Sequence, residues 1–158
     1  MRELQVVNAA ELAIAYAAAE YAVLLDGEPL PLRVGQPAAD LEAYWPATRY
    51  LFITAWNPAS EPRSESANQA ADRLLVTQLD EARFARHPAW AEDPAGDWRE
   101  HGWLLADIED TAAERLAREF GQAAVLAWQR GEPVRLRMLM PRPPATDAAG
   151  AYTDWSSG

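Results

Sequence analysis

The sequence predicts an α+β fold. One domain carries a mixed β-sheet of about five or six strands with helices packed against it, in the order α-β-β-α-β-α-β-α-β-β. Three observations predict it. The apolar run Tyr50–Trp56 reads as a strand buried on both faces. Val134, Leu136 and Met138 alternate with Arg135 and Arg137, which suits a strand with one dry and one wet face. Between these, Ala71, Leu75 and Leu79 repeat at helical spacing.

Taken in order, Asn8-Ala-Ala-Glu11 resembles a capping box and opens a first helix that runs to about Ala19. Glu20–Leu25 and Leu30–Val34 form a hairpin around Asp26-Gly27, and Pro31 puts the second strand at a sheet edge. Asp40–Tyr44 is a short helix ended by Pro46. After the apolar strand, a helix spans Pro62–Asp80. His101–Ile108 is a strand, Thr111-Ala-Ala-Glu114 caps a helix that Gly121 closes, and Gln122–Gln129 pairs with Val134–Leu139 across Arg130-Gly131. Residues 82–99 read as a long loop holding Trp90 and Trp98, with Trp103 just beyond. The domain covers residues 1–140. Residues 141–158 are too poor in aliphatic side chains to offset their ordering entropy and read as a loose tail, with Tyr152 and Trp155 as its only anchors.

Composition narrows function. The 158 residues carry 14 Arg, no Lys and 24 acids, a net charge of −10, which argues against nucleic-acid and anionic-membrane binding. The missing Lys excludes Schiff-base chemistry and a Walker-type lysine. Cys is absent and His87 and His101 are the only histidines, so neither a cysteine nor a His-rich metal site is expected, and no cofactor motif occurs. The longest uncharged stretch, Tyr50–Ser60, is too short to span a membrane. The first twenty residues lack the basic start and unbroken apolar run of a signal peptide, so a cytoplasmic location is expected.

Chemistry is best sought at Thr54–Ser60, where the most buried strand ends and a helix is about to begin. Asn57, preceding Pro58, is expected to be extended and to project its amide from the strand end. Ser60 or Ser64 caps the next helix, whose free N–H groups suit an anion. Counting 100° per residue from Leu75 places Asn68 on the buried stripe, with Ser64 continuing it. Buried amides need partners, and these are either the loop backbone, which makes the pair a staple, or a ligand. Glu100, after Trp98, is the candidate acid or base: half burial beside an indole raises a carboxyl pKa. His101 alternates to the other side of its strand from Glu100.

The runs Ile53-Thr54-Ala55-Trp56-Asn57-Pro58-Ala59-Ser60, Trp98-Arg99-Glu100 and Phe120-Gly121-Gln122-Ala123-Ala124, with Asn68 between them and Ala15-Tyr16 and Tyr21 before them, resemble the pattern of a bacterial family known as a domain of unknown function. The similarity covers about residues 10–138. It implies that Thr54, Trp56, Asn57, Ser60, Asn68, Glu100 and Gln122 form one constellation, and it implies no catalytic role for any of them.

Two functions follow from different classes. In the first, Thr54, Trp56, Asn57, Ser60, Ser64, Asn68, Trp98 and Gln122 bind a small polar ligand, nucleotide-like or anionic, with Glu100 available for acid–base work. In the second, the acidic Trp-rich segment 82–100 docks a protein partner. A homodimer through an Arg135/Arg137 edge strand is a further expectation. Residues 80–110 carry a local −6 and residues 130–142 a local +3, a layout compatible with self-association or a partner and equally with a solvated surface.

Overall fold

The computed structural model describes residues 2–57, 62–143 and 150–156. They form a single mixed α+β domain of four helices and eight strands: α1 Arg2–Ala18, β1 Glu20–Leu25, β2 Glu28–Leu32, α2 Ala39–Tyr44, β3 Arg49–Ile53, α3 Glu65–Ala82, β4 Arg86–Glu92, β5 Arg99–Ala106, α4 Asp110–Glu119, β6 Ala124–Gln129, β7 Leu136–Met138 and β8 Thr153–Trp155. The strands make one sheet in the order β2-β1-β4-β5-β3-β6-β7-β8. Every pairing is antiparallel except β7 with β8.

The sheet is therefore larger than the five or six strands expected. One addition is β4. The segment 82–99 is not a long loop but most of a hairpin, in which Arg86–Glu92 pairs residue for residue with Leu105–Arg99. Its signal is faint because the buried positions are Ala89 and Ala91, small residues with low strand preference. Pro88 lies just past the last β1–β4 pair, Val23↔Ala89, where its missing N–H removes no bond to β1. The second addition is β8, in the stretch expected to be a loose tail. Arg135 grips Asp154 through two bonds of 2.8 and 2.9 Å, and the Leu136 N–H donates to the Tyr152 carbonyl at 2.9 Å. Polar pairing supplies what aliphatic burial does not. With β6 on one side and β8 on the other, β7 is not an edge, so the expected Arg135/Arg137 dimer edge does not exist.

Smaller corrections concern boundaries. The first helix begins at Arg2 rather than Asn8, since nothing in Glu3–Val7 interrupts it. α4 starts at Asp110 after Glu109, one residue ahead of the Thr111 capping box, because Asp107 turns the chain at φ +60°. The β1–β2 turn is tight: Asp26 (φ +48°) and Gly27 (φ +81°) are both left-handed, so β2 begins at Glu28 instead of Leu30. In such a two-residue hairpin Leu25↔Glu28 is a hydrogen-bonded pair, and bonding alternates from there. Pro29 and Pro31 then fall on the outward-facing positions of this edge strand.

Helices cover both faces. Under α1 and α2 lie Tyr21, Val23, Phe52, Leu104, Leu126 and Leu136, and on the other face Leu51, Ile53, Leu105 and Val125 share a cluster with Leu75 and Leu79 of α3 and Leu116 of α4. β3 feeds both clusters through alternate residues, which explains its unbroken apolar run. No helix among the described residues is long and apolar enough to cross a membrane.

Candidate functional site

β3 delivers its end to one junction. Past Ile53, the Thr54 hydroxyl donates to the His101 carbonyl (2.5 Å) and accepts from the Trp56 N–H (3.0 Å), holding the outgoing chain against β5. Gly102 makes that approach possible, because a Cβ there would lie 2.4 Å from the Ile53 carbonyl oxygen. The chain then turns at Asn57, which is not extended as its place before Pro58 predicts. Its φ is +47°, a left-handed conformation that Asn tolerates. A tertiary contact overrides the local preference: the turn aims the Asn57 N–H at Asn68 Oδ1, 2.9 Å away.

The two amides form a reciprocal pair. Asn68 Nδ2 donates to Asn57 Oδ1 at 2.9 Å, and the Arg63 N–H donates to the same oxygen at 3.0 Å. Asn57 Nδ2 donates in turn to Glu100 Oε2 at 2.9 Å. Asn68 is buried on the inner face of α3, beside Leu75 and Leu79. Gln122, also buried, donates from Nε2 to the Trp56 carbonyl at 3.1 Å and less closely to Phe120 at 3.4 Å. The Trp56 ring meets His101 edge to face at 5.1 Å.

Thr54, Trp56, Asn57, Asn68, Glu100 and Gln122 thus converge, and they bond chiefly to one another and to the surrounding backbone. Ser64 does not join them. It is exposed, one residue before α3, where its Oγ accepts the Ala67 N–H at 3.1 Å. The helical period placing it on the buried stripe does not apply outside the helix. Ser60 lies outside the described residues. Trp98 makes its backbone bond to Asp93 Oδ1, and its 38% exposed ring reaches the group only through the cleft described next. Arg63 was not legible as a member, yet it supplies a backbone bond to Asn57 and sends its guanidinium to the Ala55 carbonyl at 3.2 Å. Gly102 carried a usable signal: a lone Gly inside a strand marks close backbone approach.

On the α1 side of this junction lies a cleft lined by Tyr16, Tyr21, Thr54, Trp98, Glu100 and Gln122, with about 20 Å³ of enclosed space. That is room for one water. Burial raises the Glu100 pKa above the usual glutamate value, with the Asn57 hydrogen bond opposing the shift. Among the described residues no three His, Asp or Glu side chains gather in a way that would hold a metal ion.

A raised carboxyl pKa has a stability consequence. The folded state favours protonated Glu100, so this group's contribution is full below about pH 4.5 and is lost as pH rises through the raised folded value. Glu100→Gln keeps an acceptor for Asn57 Nδ2 and removes the titration. Its unfolding free energy is expected to depend less on pH between about 4.5 and 7 than wild type, as read by urea melts at each pH. A steeper dependence in the variant would contradict the assignment.

Comparison with curated proteins and with solved structures returns no match. The segment that builds the junction is the part with recognisable kin: residues 53–125, from the last residue of β3 into β6, match the model of the family described as Protein of unknown function (DUF3293).

Proposed function

We propose that this domain binds a small, uncharged polar molecule in the cleft between α1 and the sheet, with the Glu100 carboxyl as its recognition group. One observation carries the reading. A largely buried carboxyl lines a cleft, and its only hydrogen bond to a described residue is the one from Asn57 to Oε2, so Oε1 is left for a ligand. Desolvated acids in clefts are frequent at functional sites. The amide pair supports this carboxyl from behind, a positioning duty that accounts for its closed bonding. An uncharged ligand suits the cleft better than the anion considered from sequence. Asp93 and Asp97 flank Trp98, and the α3 N-terminus is already served by Ser64 Oγ and followed by Glu65. With space for one water, the cleft admits a metabolite only when Trp98 swings outward from the Asp93–Trp98 turn.

Trp98 makes the test direct. Indole emission titrated with nucleosides, sugars and cyclic amides is expected to shift saturably with one of these classes in wild type. Glu100→Gln, checked for folding by thermal melt, is expected to lose at least tenfold in affinity, as one hydrogen bond to a carboxyl commonly contributes. A panel without any saturable shift, or equal affinity in the variant, refutes the reading. The partner-docking alternative rests on Trp98 alone. Trp90 lies under the Arg99 guanidinium and Trp103 donates to Asp72, so neither indole stands free to dock.

A further inference from the structure

The opposite face of the sheet holds a second, roomier cavity of about 130 Å³, bordered by Arg49 of β3, Gln129 of β6, Arg137 of β7, Arg135 just before it, and Asp110 and Ala113 of α4. That is more than six times the space in the Glu100 cleft. It is separate from the Glu100 cleft and gathers three of the chain's 14 arginines, in a protein of net charge −10.

Carboxylates stand near all three arginines, but the pairs are unequal. Arg135 is well held by Asp154, through two bonds. Arg49 and Arg137 are not: Arg49 lies 3.5 Å from Glu109 and Arg137 lies 3.6 Å from Asp110, both outside good hydrogen-bond range. Neither guanidinium makes a side-chain hydrogen bond to a described residue. The cations are the inner members of these pairs. Arg49 and Arg137 are 28% and 27% exposed, whereas Glu109 and Asp110 are 79% and 61% exposed. Exposed carboxylates hold a partner weakly and can swing into solvent. Glu132 also borders the space and contributes a further negative charge at its rim.

We propose that Arg49 and Arg137 form a binding site for a compact oxyanion, the phosphate group of a small metabolite, with Arg135 as a fixed positive wall. A guanidinium presents a planar fork of N–H donors that fits two oxygens of a phosphate. Both guanidiniums border the same cavity and stand beside adjacent residues, Glu109 and Asp110, so a single tetrahedral anion between them would take donors from each. The anion displaces both carboxylates outward and takes their place.

Calorimetric titration of the full chain with inorganic phosphate, at constant ionic strength against a chloride control, tests the site. Saturable one-to-one binding is expected. Arg49→Gln and Arg137→Gln are each expected to weaken it about tenfold, the usual scale for a charge-assisted bond. Asp110→Asn removes a competitor and is expected to tighten binding about threefold. Because Asp110 is exposed, this variant keeps the test open even if an arginine variant fails to fold. Heat no greater than in chloride, unchanged affinity in a folded arginine variant, or unchanged or weaker affinity in Asp110→Asn overturns the proposal.

Discussion

Gly102→Ala is expected to cost about 3 kcal/mol of stability, a large part of the roughly 5–15 kcal/mol that holds a typical domain folded. The added Cβ would lie 2.4 Å from the Ile53 carbonyl oxygen and 3.1 Å from Thr54 Cβ. The first neighbour is backbone and cannot rotate away, so β3 and β5 must separate. These are inner strands of the sheet, and β3 supplies residues to both apolar clusters. The same displacement breaks the Thr54–His101 bond and moves Asn57 away from Glu100. Urea unfolding monitored by far-UV circular dichroism checks it. A midpoint within experimental error of wild type would show that the strands can spread without loss.

Asn68→Ala is expected to cost about 2–3 kcal/mol, the sum of an orphaned, half-buried N–H at Asn57 and a lost amide bond. The side chain it removes is a bonded amide, not bulk, so Asn68→Leu should not recover the loss. Asn68→Asp keeps the acceptor for the Asn57 N–H but sets a carboxylate where Nδ2 donated, beside Asn57 Oδ1. It is expected to be destabilised near neutral pH and partly restored in acid, where the protonated carboxyl donates again. Melts of the three variants at pH 5 and pH 7 distinguish these outcomes. Wild-type stability in Asn68→Ala would remove the amide pair as a structural staple.

Much of this arrangement was legible because single local rules governed it. The Tyr50–Ile53 run needed only apolarity, the Asp26-Gly27 turn only left-handed tolerance, and burial of Asn68 only the helical angle from Leu75. Legibility ended where distant partners decided. Asn57 defies its proline neighbour because Asn68 waits eleven residues later. β4 hides behind Ala89 and Ala91, whose burial depends on neighbouring strands and not on their own hydrophobic weight. β8 is a strand because Arg135 holds Asp154 from nineteen positions away, and no window of local sequence contains both. Ser64 sits one residue before the helix in extended backbone, where the helical period no longer sets the direction of a side chain.

The outer rim of β2 bears on behaviour in concentrated solution. At Pro29 and Pro31 the outward backbone positions offer carbonyl oxygens and no hydrogens, so an arriving extended segment finds acceptors it cannot pair in register. The far boundary, β8, is three residues long. Such a sheet resists end-to-end templating of amyloid type, and the molecule can keep an extended eight-stranded surface without recruiting its own copies into fibres.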